Sequence, residues 1–257
     1  MSTLRSLAEQ LTRGVVIKRR LPPSFGRVPL FVSTEGGLRY LHLALGKVDP
    51  ELLEMADELV APGDVVWDVG ANVGLFTFAA AARAGPTGNV YAIEPDTWLV
   101  GLLRRSAGLE EAKRAPVNVL PVAISDTVGV SRFHIANRAR SANYLESCGS
   151  TQTGGVRETQ WVVTVTLDWI LEQFPAPKVL KIDVEGAEDR VLGGASELLS
   201  SFRPRILCEV CQENGSKVSE ILHSYGYILF DASADRFKRA PIENPAYSTL
   251  AYPSGGP

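Results

Sequence analysis

Cysteine is scarce: Cys148, Cys208 and Cys211 are the only three in 257 residues. That is too few for a disulfide framework and agrees with a reducing compartment. Neither sign of charge is in excess, with 26 Lys and Arg against 29 Asp and Glu. No basic surplus therefore argues for a nucleic-acid partner. Long apolar runs are also missing. No segment reaches the ~18 uncharged apolar residues that span a bilayer. Arg5, Glu9 and Arg13 interrupt the start of the chain, where a signal peptide would need an apolar core. These absences lead to the expectation of a soluble, cytoplasmic protein. The apolar fraction of 45% is ordinary for a globular chain and ample for a sizeable core.

One further absence is local. Residues 64–74 read Asp-Val-Val-Trp-Asp-Val-Gly-Ala-Asn-Val-Gly, and an Ala-rich helical run starts at Leu75. A β-prone run, a glycine turn and a helix start make a nucleotide-binding corner. The helix start leaves N–H groups unpaired, and glycine lets a ligand approach the backbone. A dinucleotide site wants Gly-x-Gly-x-x-Gly, whose middle glycine clears room for a pyrophosphate. Here Asn72 occupies that position, between Gly70 and Gly74, and Asp68 adds a charge that repels a pyrophosphate. An acid suits a cationic ligand instead. S-adenosylmethionine carries a sulfonium, an ammonium and a ribose diol. Glu94, at the end of the next strand, is placed to accept hydrogen bonds from such a diol. A nicotinamide-dependent oxidoreductase on a Rossmann-like fold is the alternative, and Asn72 argues against it.

Strands and helices alternate from there. Strands are expected over residues 65–69, 89–93, 117–124, 131–135, 161–166, 179–184, 205–210, 227–231 and 248–252. Helices are expected over 74–84, 97–108, 168–174, 187–199 and 216–225. Asp49 should cap a helix that begins at Pro50 and turns Met55 and Leu59 inward. A turn at 127–129 should pair the strand at 131–135. Residues 138–158 show little apolar periodicity and read as a long lid or binding loop. Residues 2–16 read as an amphipathic packing helix ending in Lys18, Arg19 and Arg20; peripheral contact with an anionic membrane is its second reading. Repeated strand–helix pairs imply a mainly parallel sheet covered on both faces. Ligands bind such sheets outside the carboxyl ends of the strands. Asp68, Glu94, the turn from Ala123 to Asp126, Asp183 and Glu209 should then face one crevice.

The stretch Lys181-Ile-Asp-Val-Glu-Gly-Ala-Glu188 ends a strand and opens a helix. Alternation sends Lys181, Asp183 and Glu185 to one side. Glu185 and Glu188 sit where a helix N-terminus favours negative charge. The structural reading is a capped helix with a Lys181–acid pair. The functional reading places Asp183 close to a transferred group. Cys208-x-x-Cys211 reads as structural, since no second pair completes a zinc or redox site and a spacing of three turns the thiols to opposite faces of a strand.

Four stretches together carry a resemblance: Asp68-Val-Gly-Ala-Asn-Val-Gly74, Ile93-Glu-Pro95, Val122-Ala-Ile-Ser-Asp126 and Leu180-Lys-Ile-Asp-Val-Glu-Gly-Ala-Glu188. They resemble the FkbM family of class I S-adenosylmethionine-dependent methyltransferases. The resemblance implies an α/β, Rossmann-like fold: a seven-stranded, mostly parallel sheet with helices on both faces and an antiparallel last strand. Residues 61–257 would form this domain, after an N-terminal helical extension, 1–60, that could cap the substrate. It implies methyl transfer from S-adenosylmethionine, leaving S-adenosylhomocysteine, to a hydroxyl of a sugar, glycolipid, polyketide or similar natural product. By motif position, Asp68, Gly70 and Ala71 would line the methionine part of the cofactor, with Asn72 and Gly74 shaping the loop. Glu94 would hold the ribose, Pro95 and the pair Ala123 and Ile124 would flank the adenine, and Asp183 would lie near the amine and the acceptor. An attacking alcohol must lose its proton. Asp183 is the first choice of base, with Glu185, His42 and His134 as the others. A Mg-assisted version would use Asp183 and Glu209. No third oxygen ligand follows Glu209, so no metal is expected. Acceptor specificity is expected in the N-terminal segment and in the loop over 138–158.

Overall fold

A computed structural model describes residues 11–110, 113–146, 148 and 154–255. In chain order its strands are β1 (Val16–Arg20), β2 (Pro29–Ser33), β3 (Val65–Val69), β4 (Asn89–Ile93), β5 (Val117–Leu120), β6 (Ala123–Ile124), β7 (Gly129–Ala136), β8 (Tyr144–Leu145), β9 (Val156–Val165), β10 (Val179–Ile182), β11 (Arg205–Glu209), β12 (Tyr227–Asp231), β13 (Pro241–Ile242) and β14 (Ser248–Pro253). The α-helices are α1 (Pro50–Leu59), α2 (Leu75–Ala84), α3 (Thr97–Ala107), α4 (Leu167–Gln173), α5 (Glu188–Gly193) and α6 (Gly215–Ser224).

The central sheet runs β13-β12-β14-β11-β10-β3-β4-β5. From β11 to β5 the neighbours are parallel, and β14 lies antiparallel between β11 and β12. This is the expected mostly parallel sheet, widened at one edge by the short β13. Alternation along β3 explains the two layers. Val66 joins a core built with α1, α2 and α3, while Trp67 and Val69 join a second core with α4, α5 and α6. Asp68 shares the parity of Val66, so its carboxylate points beneath α2. Asp49 caps α1 as expected, accepting the Leu52 N–H at 3.1 Å, with Pro50 in the first turn.

Several expectations are corrected. The strand over 117–124 is two strands. Pro121 has no N–H to donate, and the Val122 N–H folds back onto the Leu120 carbonyl at 3.0 Å. β6 consequently leaves the central sheet for a second one, ordered β6-β9-β7-β8. The turn at 127–129 does not pair β7 with β6, because β9 lies between them. The helix over 187–199 stops at Gly193. Gly194 approaches the chain too closely for a side chain; a Cβ there would lie 2.5 Å from the Ser125 carbonyl. A short π-helical turn, Leu198–Phe202, follows, and Asp168 accepts its leading N–H groups from Glu197 and Leu198. Most of the helix expected over 2–16 lies outside the described residues. Lys18, Arg19 and Arg20 are not its basic end but part of β1, which pairs antiparallel with β2. The extension is thus a hairpin leading to α1. It docks on α3: Ser106 Oγ accepts the Phe31 N–H at 2.8 Å, and the Arg105 guanidinium lies 4.5 Å over the Phe31 ring. Among the described residues no helix is long and apolar enough to cross a membrane.

Candidate functional site

The turn after β3 locks three strand ends together. Gly70 and Ala71 donate their N–H groups to the Ile93 carbonyl at 3.0 and 3.2 Å. Gly70 has φ +77°, and a Cβ there would fall 1.8 Å from the Asp183 carbonyl oxygen. Glycine is required at this position on both counts. Below the turn, Lys181 Nζ donates to the Gly70 carbonyl at 3.0 Å and lies 3.2 Å from both Asp68 and Asp183. Burial works against the Lys181 ammonium, but Asp68, Asp183 and Glu209 overcome it and raise its pKa. Thr77 completes the arrangement, donating its hydroxyl to Asp68 Oδ2. Asp68 is 0% exposed. Its side chain therefore supports the turn from beneath and is not among the residues lining the cleft. Ala71 and Gly74 are likewise outside the cleft lining. Gly74 packs against Phe78 and Leu103 and starts α2.

A cleft opens outside the carboxyl ends of β3, β4 and β10. Gly70, Asn72, Glu94, Pro95, Ala123, Ile124, Asp183 and Glu185 all line it, joined by Phe133 and Leu145 of the second sheet. It is open to solvent, and the empty space inside it and at its mouth comes to about 590 Å³. Glu94 sits at its floor, accepting the Asn72 N–H and the Asp96 N–H at 2.9 Å each. Burial, reinforced by the Asp96 charge, pushes its carboxyl up to about 8 against the pull of these donors. Asn72 adopts a left-handed φ of 52°, and its carboxamide oxygen is buried with no hydrogen-bond donor in reach among the described residues.

The roof falls within the stretch read from the sequence as a lid or binding loop, but the contacts that hold it were not legible there. Residues 138–145 fold over the cleft and are pinned there. Asp96 caps α3 with one oxygen and holds Arg140 and Asn143 with the other. Arg140 also reaches Glu35, at 2.9 Å, and Arg157 joins the same carboxylate at 3.0 Å. Burial alone would raise the Glu35 pKa, but the two guanidiniums outweigh it and lower it. The Arg140 guanidinium lies 5.0 Å over the Trp98 ring. Of these residues only Asp96 carried a visible signal, its position before a helical run.

A second chamber adjoins the first and shares Asn72, Ser141, Asp183 and Glu185 with it. Its far wall is Arg39, Glu209 and Tyr247. The Tyr247 hydroxyl donates to Glu209 at 2.7 Å. Burial, then Asp183, raises Glu209 to about 7; burial, then Asp183 and Glu209, raises Glu185 to about 8. Arg39 pairs with Asp49 at 2.8 Å. The N-terminal segment thus supplies one wall. Gly36 makes this close fit, since a Cβ there would meet Val73 and Asn72 side chains at 2.5 and 2.7 Å.

Neither candidate histidine lines either chamber. His42 Nδ1 accepts the Ala44 N–H at 3.1 Å and caps its own turn. His134 projects from β7 to Thr159 at 2.9 Å and packs at a tilt against the Tyr144 ring, centroids 5.1 Å apart. Cys208 is buried, and Cys211 reaches Glu188 instead of its neighbour thiol. Among the described residues no three His, Cys, Asp or Glu side chains come together as a metal site; Asp183 and Glu209 share the second chamber as a pair.

The parallel strands, the antiparallel β14 beside β11 and the cleft at the carboxyl ends define a Rossmann-like class I methyltransferase fold. The Methyltransferase FkbM domain matches residues 68–229. The chain belongs to that family. Hexuronic acid methyltransferase AglP of Haloferax volcanii is 32% identical over 154 residues, covering 58% of this chain and 56% of that protein. The chain thus spans little more than half of AglP. The 31-O-demethyl-FK506 methyltransferase FkbM of Streptomyces tacrolimicus is 32% identical over 200 residues, covering 65% of this chain and 74% of that protein. Among solved structures, methyltransferase FkbM of Methylobacillus flagellatus KT overlays with a TM-score of 0.45 at 16% identity, covering 78% of this chain and 50% of that one.

Proposed function

We propose that this protein is an S-adenosylmethionine-dependent O-methyltransferase acting on a hydroxyl of a sugar, glycolipid, polyketide or similar natural product. The observation that carries the reading is the pair of chambers meeting at Asn72, Ser141, Asp183 and Glu185. The first suits a cationic nucleoside: apolar walls from Pro95, Ala123, Ile124 and Phe133, and the acidic side chains Glu94 at its floor and Asp183 and Glu185 at its edge. Glu94 would hold the ribose, and Pro95, Ala123 and Ile124 the adenine. Gly70 and Asn72 would shape the methionine end, with Asp68 and Lys181 fixing them from below. Relatives named for methylating a hexuronic acid and 31-O-demethyl-FK506 agree with methyl transfer to an oxygen acceptor.

When bound, S-adenosylmethionine supplies a methyl group already activated on a sulfonium. The protein's own task is placement, which itself provides much of the rate. Asp183 stands at the junction of the chambers, oriented by the Lys181 ammonium. It is the base that takes the acceptor proton, and Glu185 is the neighbouring carboxylate that can share it. Residues 1–60 act as a substrate cap through Arg39, Asp49 and Glu51 in the second chamber. Calorimetric titration with S-adenosylhomocysteine should saturate at one site per chain. Labelled methyl transfer should appear in a screen of glycans, polyketides and cell extracts and fall at least about a hundredfold in Asp183→Asn, the scale of lost general-base catalysis. No binding, or NADH binding in its place, would overturn the reading.

A further inference from the structure

The turn that follows β10 is bent against the preference of its residues. Glu185 has φ +53° and Gly186 has φ +103°. Glycine adopts such angles freely, but for a glutamate the left-handed region is costly and persists only where the surroundings enforce it. Among the described residues only four other than glycine have positive φ: Arg27, Asn72, Glu185 and Arg203. Two of the four, Asn72 and Glu185, line both the cleft and the second chamber. Strained backbone is thus concentrated where the chambers meet.

What holds Glu185 lies outside the lining of both chambers. Glu188, at the start of α5, is 0% exposed. Its partners among the described residues are neutral donors: the Gly186 N–H at 2.8 Å, the Asn214 carboxamide at 2.8 Å and the Cys211 thiol at 3.8 Å. Asn214 stands in the turn between β11 and α6, and the same carboxamide nitrogen also donates to the Gly186 carbonyl at 2.9 Å. Gly186 is therefore gripped at both of its peptide groups. The peptide that carries the Gly186 N–H is the one that leaves Glu185, so its direction sets ψ at Glu185. A buried carboxylate without an ion-pair partner is costly, and a helix start is capped as well by an exposed side chain. What the burial gains is the fixed turn.

We propose that Glu188 and Asn214 are positioning residues for methyl transfer: by clamping Gly186 they keep Glu185 left-handed, with its side chain at the junction of the two chambers beside Asp183. This rests on the reading of those chambers as the sites of cofactor and acceptor. Asn214 also ties the turn after β11 to the turn after β10. The clamp thus sets two of the strand ends that border the second chamber relative to one another.

The test uses the full chain. Calorimetric titration of the wild type with S-adenosylhomocysteine reports on the cofactor reading alone. Urea unfolding is then measured for Glu185→Gly and Glu185→Ala, each with and without Asn214→Ala. Glycine is ordinarily the less stable choice, so a glycine more stable than alanine at this position shows that the left-handed conformation is enforced. With Asn214 in place, Glu185→Gly should exceed Glu185→Ala by about twofold or more in the folding equilibrium constant. With Asn214→Ala the advantage should vanish or reverse. Labelled methyl transfer into the glycan, polyketide or extract fraction that accepts it should fall at least about tenfold in Asn214→Ala, with S-adenosylhomocysteine affinity within about threefold of wild type. A general folding defect would lower both alike. Adding Asn214→Ala to Glu185→Gln should cost no further transfer, since both act through one side chain. Glu188→Gln keeps the volume but turns one acceptor into a donor facing Asn214; it should behave as Asn214→Ala does, and it replaces that variant if Asn214→Ala does not fold. Alanine as stable as glycine with Asn214 in place, a glycine advantage that survives Asn214→Ala, or transfer and S-adenosylhomocysteine affinity falling together would overturn the proposal. A wild type that binds no S-adenosylhomocysteine would instead sink the cofactor reading, while the unfolding comparison still decides whether the clamp holds Glu185.

Discussion

Replacing Lys181 with methionine separates the motif's structural work from its chemical work. The Lys181 side chain is 4% exposed and joins three groups: the Gly70 carbonyl, Asp68 and Asp183. Methionine keeps the length and apolar stem but removes the charge. Asp68 is then a fully buried carboxylate whose one remaining partner among the described residues is the Thr77 hydroxyl. Breaking a buried ion pair by removing one partner costs about 3–5 kcal/mol. At about 2–4 °C per kcal/mol for a chain of this size, the melting temperature should fall by about 6–20 °C. Urea unfolding followed by circular dichroism measures the loss directly, with an unchanged slope showing that the folded state is intact. Adding Asp68→Asn to Lys181→Met should restore about half of the loss, because the orphaned group is then neutral. A Lys181→Met variant within about 1 kcal/mol of wild type, or a double variant no better than the single one, would refute the view that these residues form one buried unit.

Three further outcomes are expected. Glu94→Ala leaves the Asn72 and Asp96 N–H groups unpaired and removes the group assigned to the ribose; S-adenosylhomocysteine affinity should drop by about 10- to 150-fold, as loss of charge-assisted hydrogen bonds implies, read by calorimetry. The ligand-free protein should lose stability as pH rises. Glu94, Glu185 and Glu209 hold protons up to about 8, 8 and 7 in the folded chain, above the ordinary glutamate value of 4.5, so the unfolded chain binds fewer protons between these limits. Melting temperatures scanned from pH 5 to pH 9 should fall across this window, and binding the cationic cofactor should release protons, measured in buffers of different ionisation enthalpy. Arg140→Met cuts the tie from the roof to Asp96 and Glu35. Cofactor dissociation, followed by stopped-flow fluorescence, should quicken by about tenfold or more, since removing one partner of a buried charge pair acts mainly on the off-rate.

The order of strands and helices from Val65 to Asp231 was legible because each element carries its own period and its own breaker. β3, β4 and β12 fall where the apolar runs place them, and α1 begins where Asp49 and Pro50 say it must. Glu94, Asp183 and the glycine turn were legible as strand-end residues, since topology alone carries strand ends to one edge of a parallel sheet. The split at Pro121 was present in the sequence but outweighed by the valines around it. His42 and His134 show the opposite limit. Their residue type suggested chemistry, yet which way a side chain faces depends on partners distant in the chain, here Thr159 and Tyr144 for His134.

The sequence by itself determined the sheet, the cofactor corner and the acids at its rim, because local propensity and the period of two or 3.6 residues are properties of short segments. Only the tertiary structure decided that Asp68 works from below the turn, that Arg140 and Asn143 roof the cleft, and that Arg39, Glu209 and Tyr247 meet in a second chamber. Those meetings join residues as much as 208 positions apart, from Arg39 to Tyr247. No short-range rule reaches that far: packing of the N-terminal hairpin on α3 and of the second sheet on the strand ends sets which charges face one another.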